Sequence, residues 1–134
     1  MAITPNTAQF TEYAEHGRDG EVVMLNLLKF KDLAGDGEGT GAEAYGRYGD
    51  AVTEMVESQG GRMVWIGRAE HVFIGDVDAN DWDAVALVSY PSRQAFLDMV
   101  ATAEYGEIHR HRESGLERTV VIGCEPMAAA RGRT

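Results

Sequence analysis

Three stretches of this chain are apolar on both sides of a strand, and that narrows its possible folds more than any other feature. Val22 to Phe30 is nine residues long, seven of them apolar, without Gly or Pro. Such a run predicts a strand. Side chains alternate along it, so Val22, Met24, Leu28 and Phe30 point one way while Val23, Leu25 and Leu27 point the other. Met63 and Trp65 likewise oppose Val64 and Ile66, and Val85 and Leu87 oppose Ala86 and Val88. A sheet with one face in water would alternate apolar with polar. These strands call for cover on both faces.

The segments between them supply helices. Asn6 with Gln9 has the spacing of a capping box, and Phe10, Tyr13 and Ala14 give a short helix one apolar side. Gly17 and then Asp19-Gly20 end it. The acidic, glycine-rich stretch from Asp32 to Gly41 reads as a mobile loop. A second capping box, Thr40 with Glu43, opens a helix to about Gln59, with Tyr45, Tyr48, Val52, Met55, Val56 and Gln59 on one stripe. Gly60-Gly61 stops it. The second strand begins at Met63 to Ile66, with a bulge expected at Gly67 and continuation through His71 to Ile74. Asp76 to Asp83 reads as a turn and Ala84 to Tyr90 as the third strand. Ser92 caps the next helix, which turns Ala95, Phe96, Met99, Val100 and Ala103 inward. A further turn or two after Thr102 carries Tyr105, His109, Arg112 and Leu116 on one stripe. Thr119 to Ile122 reads as the last strand.

The order β-α-β-β-α-β predicts an α+β, ferredoxin-like unit, an antiparallel sheet with both helices on one face. One layer of helices cannot cover two apolar faces. The missing cover is most simply a second copy, sheet against sheet, a homodimer about a two-fold axis. The alternative is that the N-terminal helix folds across the open face. The chain then divides into an N-terminal helical extension (1–20), the α+β barrel domain (21–124) and a disordered tail (125–134).

Composition narrows the partners. The formal charge of −10, with only two lysines and ten dispersed arginines, argues against nucleic acid and against anionic membrane surfaces. No apolar run approaches the length of a membrane-spanning helix, and the start lacks the pattern of a signal peptide. Cys124 is the single cysteine, so no internal disulfide forms. A cytoplasmic protein is expected.

Val22-Val23-Met24-Leu25-Asn26-Leu27-Leu28-Lys29-Phe30, then Tyr45 and Tyr48, then Gly60-Gly61-Arg62 resemble the domain-of-unknown-function family numbered 1330. So do Tyr90-Pro91-Ser92-Arg93 with Phe96 and Met99, and Tyr105 followed by His111-Arg112 and Leu116-Glu117. The resemblance spans about Glu21 to Gly123. It implies the dimeric α/β-barrel superfamily, which includes cofactor-independent monooxygenases, muconolactone isomerase-like enzymes and haem-degrading enzymes, as well as proteins with no assigned activity. Fold analogy cannot choose among these.

Several polar residues are candidates for a site. Asn26 sits within an apolar strand, where an amide is costly unless bonded. It is either a structural amide or a pocket group that orients a carbonyl-bearing ligand, and some monooxygenases of the resembled superfamily use a first-strand asparagine. Tyr105, His109 and Arg112 share a helix face at i, i+4 and i+7, which could set an imidazole beside a guanidinium able to grip a carboxylate. An amphipathic last helix with solvated polar tips explains the same spacing.

Metal and cofactor patterns fail. His109 and His111 stand two apart and point in nearly opposite directions; His16 and His71 have no ligand pattern around them. Asp76, Asp78 and Asn80 begin a calcium loop that lacks its glycine and its bidentate glutamate. Asn26, Trp82 and His109 match the residue types of the haem-degrading relatives but not their spacing. Gly35 to Gly41 lacks the ending of a phosphate loop. No cofactor is expected.

The reading is therefore a small-molecule enzyme without a bound cofactor, monooxygenase- or isomerase-like. Asn26, Tyr48 and Tyr90 would hold an oxygen-rich organic acid or aromatic ligand, Arg112 would pair with its anionic group, and His109 would move a proton. The alternatives are a non-catalytic metabolite-binding or stress-response dimer and a purely structural dimer.

Overall fold

Side-chain caps set the starts of the four helices among the described residues. Asn6 and Gln9 exchange side-chain-to-backbone hydrogen bonds (2.7 and 3.0 Å) and open α1 (Thr7–His16). After β1 (Val22–Phe30), Thr40 and Glu43 close the second capping box at the head of α2 (Gly41–Ser58). Gly60, at φ 81°, lets the chain leave α2 in a left-handed turn. There Gly61 N–H donates to the Val56 carbonyl and Gly60 N–H to that of Glu57, satisfying two terminal acceptors. Then come β2 (Arg62–Arg68), β3 (Ala84–Tyr90), α3 (Arg93–Val100, capped by Ser92), α4 (Ala103–Gly115, capped by Thr102) and β4 (Leu116–Cys124). This computed structural model describes residues 3–16, 19–76 and 81–127.

The four strands form one antiparallel sheet in the order β2-β3-β1-β4, the ferredoxin-like arrangement. Val22, Met24 and Leu28 of β1 and Ala84, Ala86, Val88 and Tyr90 of β3 are buried. Val22, Met24, Val88 and Tyr90 join Tyr48, Val52, Val56 and Met99 of the helices in one cluster. The opposite face carries Val23, Leu25 and Leu27, paired across to Leu87, Val85, Ile122 and Val120. No described element lies over it, and Trp65 and Ile122 are 54% and 50% exposed.

The described residues of the N-terminal extension do not supply that cover. Tyr13 packs against the helix-side cluster, edge-on to Phe96 at 6.3 Å, and a side chain at Gly123 would touch its ring. Gly123 pairs with Met24, on the helix-bearing side.

Four readings need correction. β2 ends at Arg68 rather than running on to Ile74; residues 71–74 are irregular, and Phe73 and Ile74 are almost fully exposed. Its irregularity falls between Met63 and Trp65, not at Gly67. Gly67 has another role: a Cβ there would sit 2.3 Å from the Trp65 indole, so the glycine gives the ring a place to lie across the strand. β4 is longer than expected, and Leu116 begins it instead of ending the helix. The loop from Asp32, expected to be mobile, is pinned: Ala34 is buried, Gly35 N–H donates to the Ser114 carbonyl, and Arg47 donates to Asp36 and to the Glu38 carbonyl. Asp78 and Asn80 of the calcium-like pattern, Gly17, and residues 128–134 of the tail lie outside the described residues.

Two glycines set the distance between α2 and α4. A Cβ on Gly41 would fall 2.1 Å from the Lys31 carbonyl oxygen, and one on Gly115 would fall 2.6 Å from the Gly41 carbonyl oxygen. The helix ends meet backbone to backbone. Among the described residues no helix is long and apolar enough to cross a membrane.

Candidate functional site

Arg112 stands in the last turn of α4, beside the Gly41–Gly115 contact, and is only 6% exposed. Its Nη1 donates to the Ile3 carbonyl at 2.5 Å, and its guanidinium lies 6.0 Å from the centre of the Tyr48 ring. Among the described residues no carboxylate pairs with it. A buried cation without an anion is costly and uncommon.

Around it the helices contribute aromatic rings. Tyr45 of α2 leans on Phe30 (5.6 Å between centres) and on Tyr48 (5.4 Å). Tyr48 meets Tyr105 of α4 edge-on, and their hydroxyls are hydrogen-bonded at 2.9 Å. Burial pushes the Tyr48 phenol well above its ordinary value; the neighbouring Tyr105 adds to the shift and Arg112 opposes it. Burial likewise raises Tyr45 and Tyr90. These hydroxyls stay protonated at neutral pH and can donate.

His109 lies one turn from Tyr105, ring centres 5.7 Å apart, and its Nδ1 is 3.2 Å from the Glu113 Oε1. A carboxylate so placed fixes the ring's orientation. His111 is turned elsewhere, accepting at Nδ1 from Arg47 Nε at 3.3 Å. Its pKa is lowered, first by desolvation and then by Arg110 and Arg47.

The structure thus gathers Arg112, Tyr48, Tyr105 and His109 into one chain of contacts. Tyr90 belongs to the same core cluster as Tyr48 but packs edge-on to Phe96 at 5.1 Å. Asn26 is on the helix-bearing side, opposite Ala86 and Val121. Its amide nitrogen donates to the carbonyls of Met24 (3.2 Å) and Ala86 (3.4 Å), which accounts for a polar group on this strand. Its Oδ1 accepts from no donor among the described residues.

Trp82 is engaged by the Arg118 guanidinium at 4.2 Å, not by the His109 group. No group of three or more metal-binding side chains occurs among the described residues. A half-open cleft of about 210 Å³ between Tyr13, Val22, Gly123, Cys124 and Glu125 is smaller than the roughly 300–1,000 Å³ usual for ligand pockets.

Two participants were not singled out from the sequence. Glu113 follows His109 by four, a spacing that predicts contact on a helix. Ile3 has no such signal, because it meets Arg112 across 109 positions.

Comparison with known proteins agrees with this architecture. A family model described as a domain of unknown function, DUF1330, matches residues 36–123. The crystal structure of RPA0582, a protein of unknown function from Rhodopseudomonas palustris, is similar at 35% identity and a TM-score of 0.86, covering 95% of this chain and 98% of that one. Its methylated form compares at 34% identity and the same TM-score, covering 97% and 98%. At3g17210 from Arabidopsis thaliana shares the fold at 16% identity and a TM-score of 0.56, covering 81% and 98%. No curated protein matches the chain.

Proposed function

The chain belongs to the DUF1330 family, and from that premise we propose that it binds a small organic anion between its sheet and its helices, as a homodimer joined through the open sheet faces. The observation that carries the binding reading is Arg112: a buried guanidinium, walled by tyrosines, with no carboxylate partner among the described residues. A ligand carboxylate supplies the missing charge in two-point fashion. Protonated Tyr48 stands beside that position as a donor. The dimer reading is supported by the uncovered face of Val23, Leu25, Leu27, Trp65, Val85, Leu87, Val120 and Ile122, far more apolar than a solvated sheet face.

The test is thermal unfolding with a panel of aromatic and aliphatic carboxylic acids. Some member stabilises the wild type, and Arg112→Ala loses that shift. A wild type that no acid stabilises overturns the proposal.

One observation favours catalysis over simple binding. His109 is oriented by Glu113 and lies against Tyr105, whose hydroxyl joins that of Tyr48. An imidazole held in this way can pass a proton to or from a bound acid. His109→Gln then abolishes turnover of a substrate while leaving acid binding intact; loss of both together points to binding alone.

A further inference from the structure

We infer that residues 3–6 are an internal pseudo-ligand that keeps the Arg112 site shut, and that the molecule displacing them is a compact apolar monocarboxylate. The inference rests on the proposal that Arg112 receives the ligand's anionic group.

A single residue of this arm supplies both halves of such a molecule. The Ile3 carbonyl accepts from Arg112 Nη1 at 2.5 Å. The Ile3 side chain packs on Leu28, Ala84, Ala86 and Leu116, beside Phe30 and Tyr45. An oxygen acceptor and a branched hydrocarbon a few bonds away thus fill one polar and one apolar seat. The guanidinium carries five N–H groups, and the carbonyl meets it through one hydrogen bond. A carboxylate can take two parallel bonds there and bring the opposite charge, so it can outcompete the arm.

The arm is built to come away. Ile3 is its one partly buried residue; Thr4, Pro5 and Asn6 are exposed. Asn6 is fastened to the head of α1 by its capping box, so release of Ile3 leaves that helix cap in place. The arm's occupancy of the site lowers the apparent affinity for any ligand that needs the same seat.

The experiment is calorimetric titration of the full chain with 3-methylbutanoate, paired with amide exchange across residues 3–9. Ile3→Ala weakens the arm's apolar hold. Pro5→Gly loosens the arm without touching the site, and it serves where Ile3→Ala lowers stability. Both variants should bind 3-methylbutanoate about fivefold or more tighter than the wild type. In the wild type, exchange across the arm should rise when the acid is added. Equal affinity in all three proteins, with arm exchange unmoved, overturns the pseudo-ligand and leaves the Arg112 site standing. Binding that survives Arg112→Met, or no binding by any form, overturns both.

Discussion

The two faces of the sheet are made from the same strands and nearly the same residue types, yet they are covered to different degrees. On one, Met24, Leu28, Ala86 and Val88 are buried under the helices, although Ile66 and Val121 on its outer strands stay exposed; on the other, Trp65, Val120 and Ile122 remain open and the central strands are only partly buried. The difference lies in where the cover comes from. α1 does not even it out, because Tyr13 takes that helix to the side already covered. The apolar pattern of a strand therefore records how many faces are buried in the working protein, while the layer order of one chain records how many it can bury by itself.

The largest expected effect is on the sealed face. Leu28→Ala removes a fully buried side chain and should cost about 2–5 kcal/mol of folding stability, measured by urea unfolding. A loss well under 1 kcal/mol would mean that this face is less tightly packed than described.

The open face should answer differently. Ile122→Lys places a charge on an edge strand, at a half-exposed position that a folded monomer tolerates. Light scattering should move from about twice the 14.6 kDa chain mass to that mass, with the circular dichroism of a folded protein retained. An unchanged mass would break the comparison, because the face would then be open for another reason.

Helix boundaries were largely legible and tertiary contacts were not. The caps at Asn6, Thr40 and Ser92 were readable because each depends on residues three apart, while the Thr102 cap of α4 was not singled out. β1 and β3 were readable because both of their faces are apolar. β2 was overrun to Ile74 because Val72, Phe73 and Ile74 continue an apolar pattern that meets no partner strand. Arg112 could be placed on the inward stripe of α4 by spacing alone. Its lack of a carboxylate partner among the described residues and its contact with Ile3 depend on how distant segments pack, and no local pattern encodes them.

A smaller effect tests the polar interior of the sealed side. Tyr48→Phe keeps the ring and removes the hydroxyl bonded to Tyr105, and should cost about 1 kcal/mol. A neutral result would mean that the Tyr105 hydroxyl finds a new partner, such as the seat beside Arg112.

The smallest effect belongs to the surface of the helix layer. His111 has a lowered pKa in the folded protein, so the unfolded chain binds its proton more readily. The stability this gives is complete above the ordinary histidine pKa of about 6.5 and is lost as pH falls through the lower folded value. His111→Gln should flatten that part of a melting-temperature profile below about pH 6.5 and leave it unchanged above; a profile identical to the wild type would remove His111 from the account.

Trp65 lies over Gly67 on the open face, and the chain's one other indole, Trp82, is stacked beneath Arg118. The chain therefore carries its own optical gauge of assembly. An indole half in water emits at longer wavelength than one pressed into a dry contact, so emission from Trp65 should drift to the red on dilution while Trp82 supplies a steadier background. The glycine that makes room for the ring is what keeps that reporter flat on the surface, where a second copy would have to land.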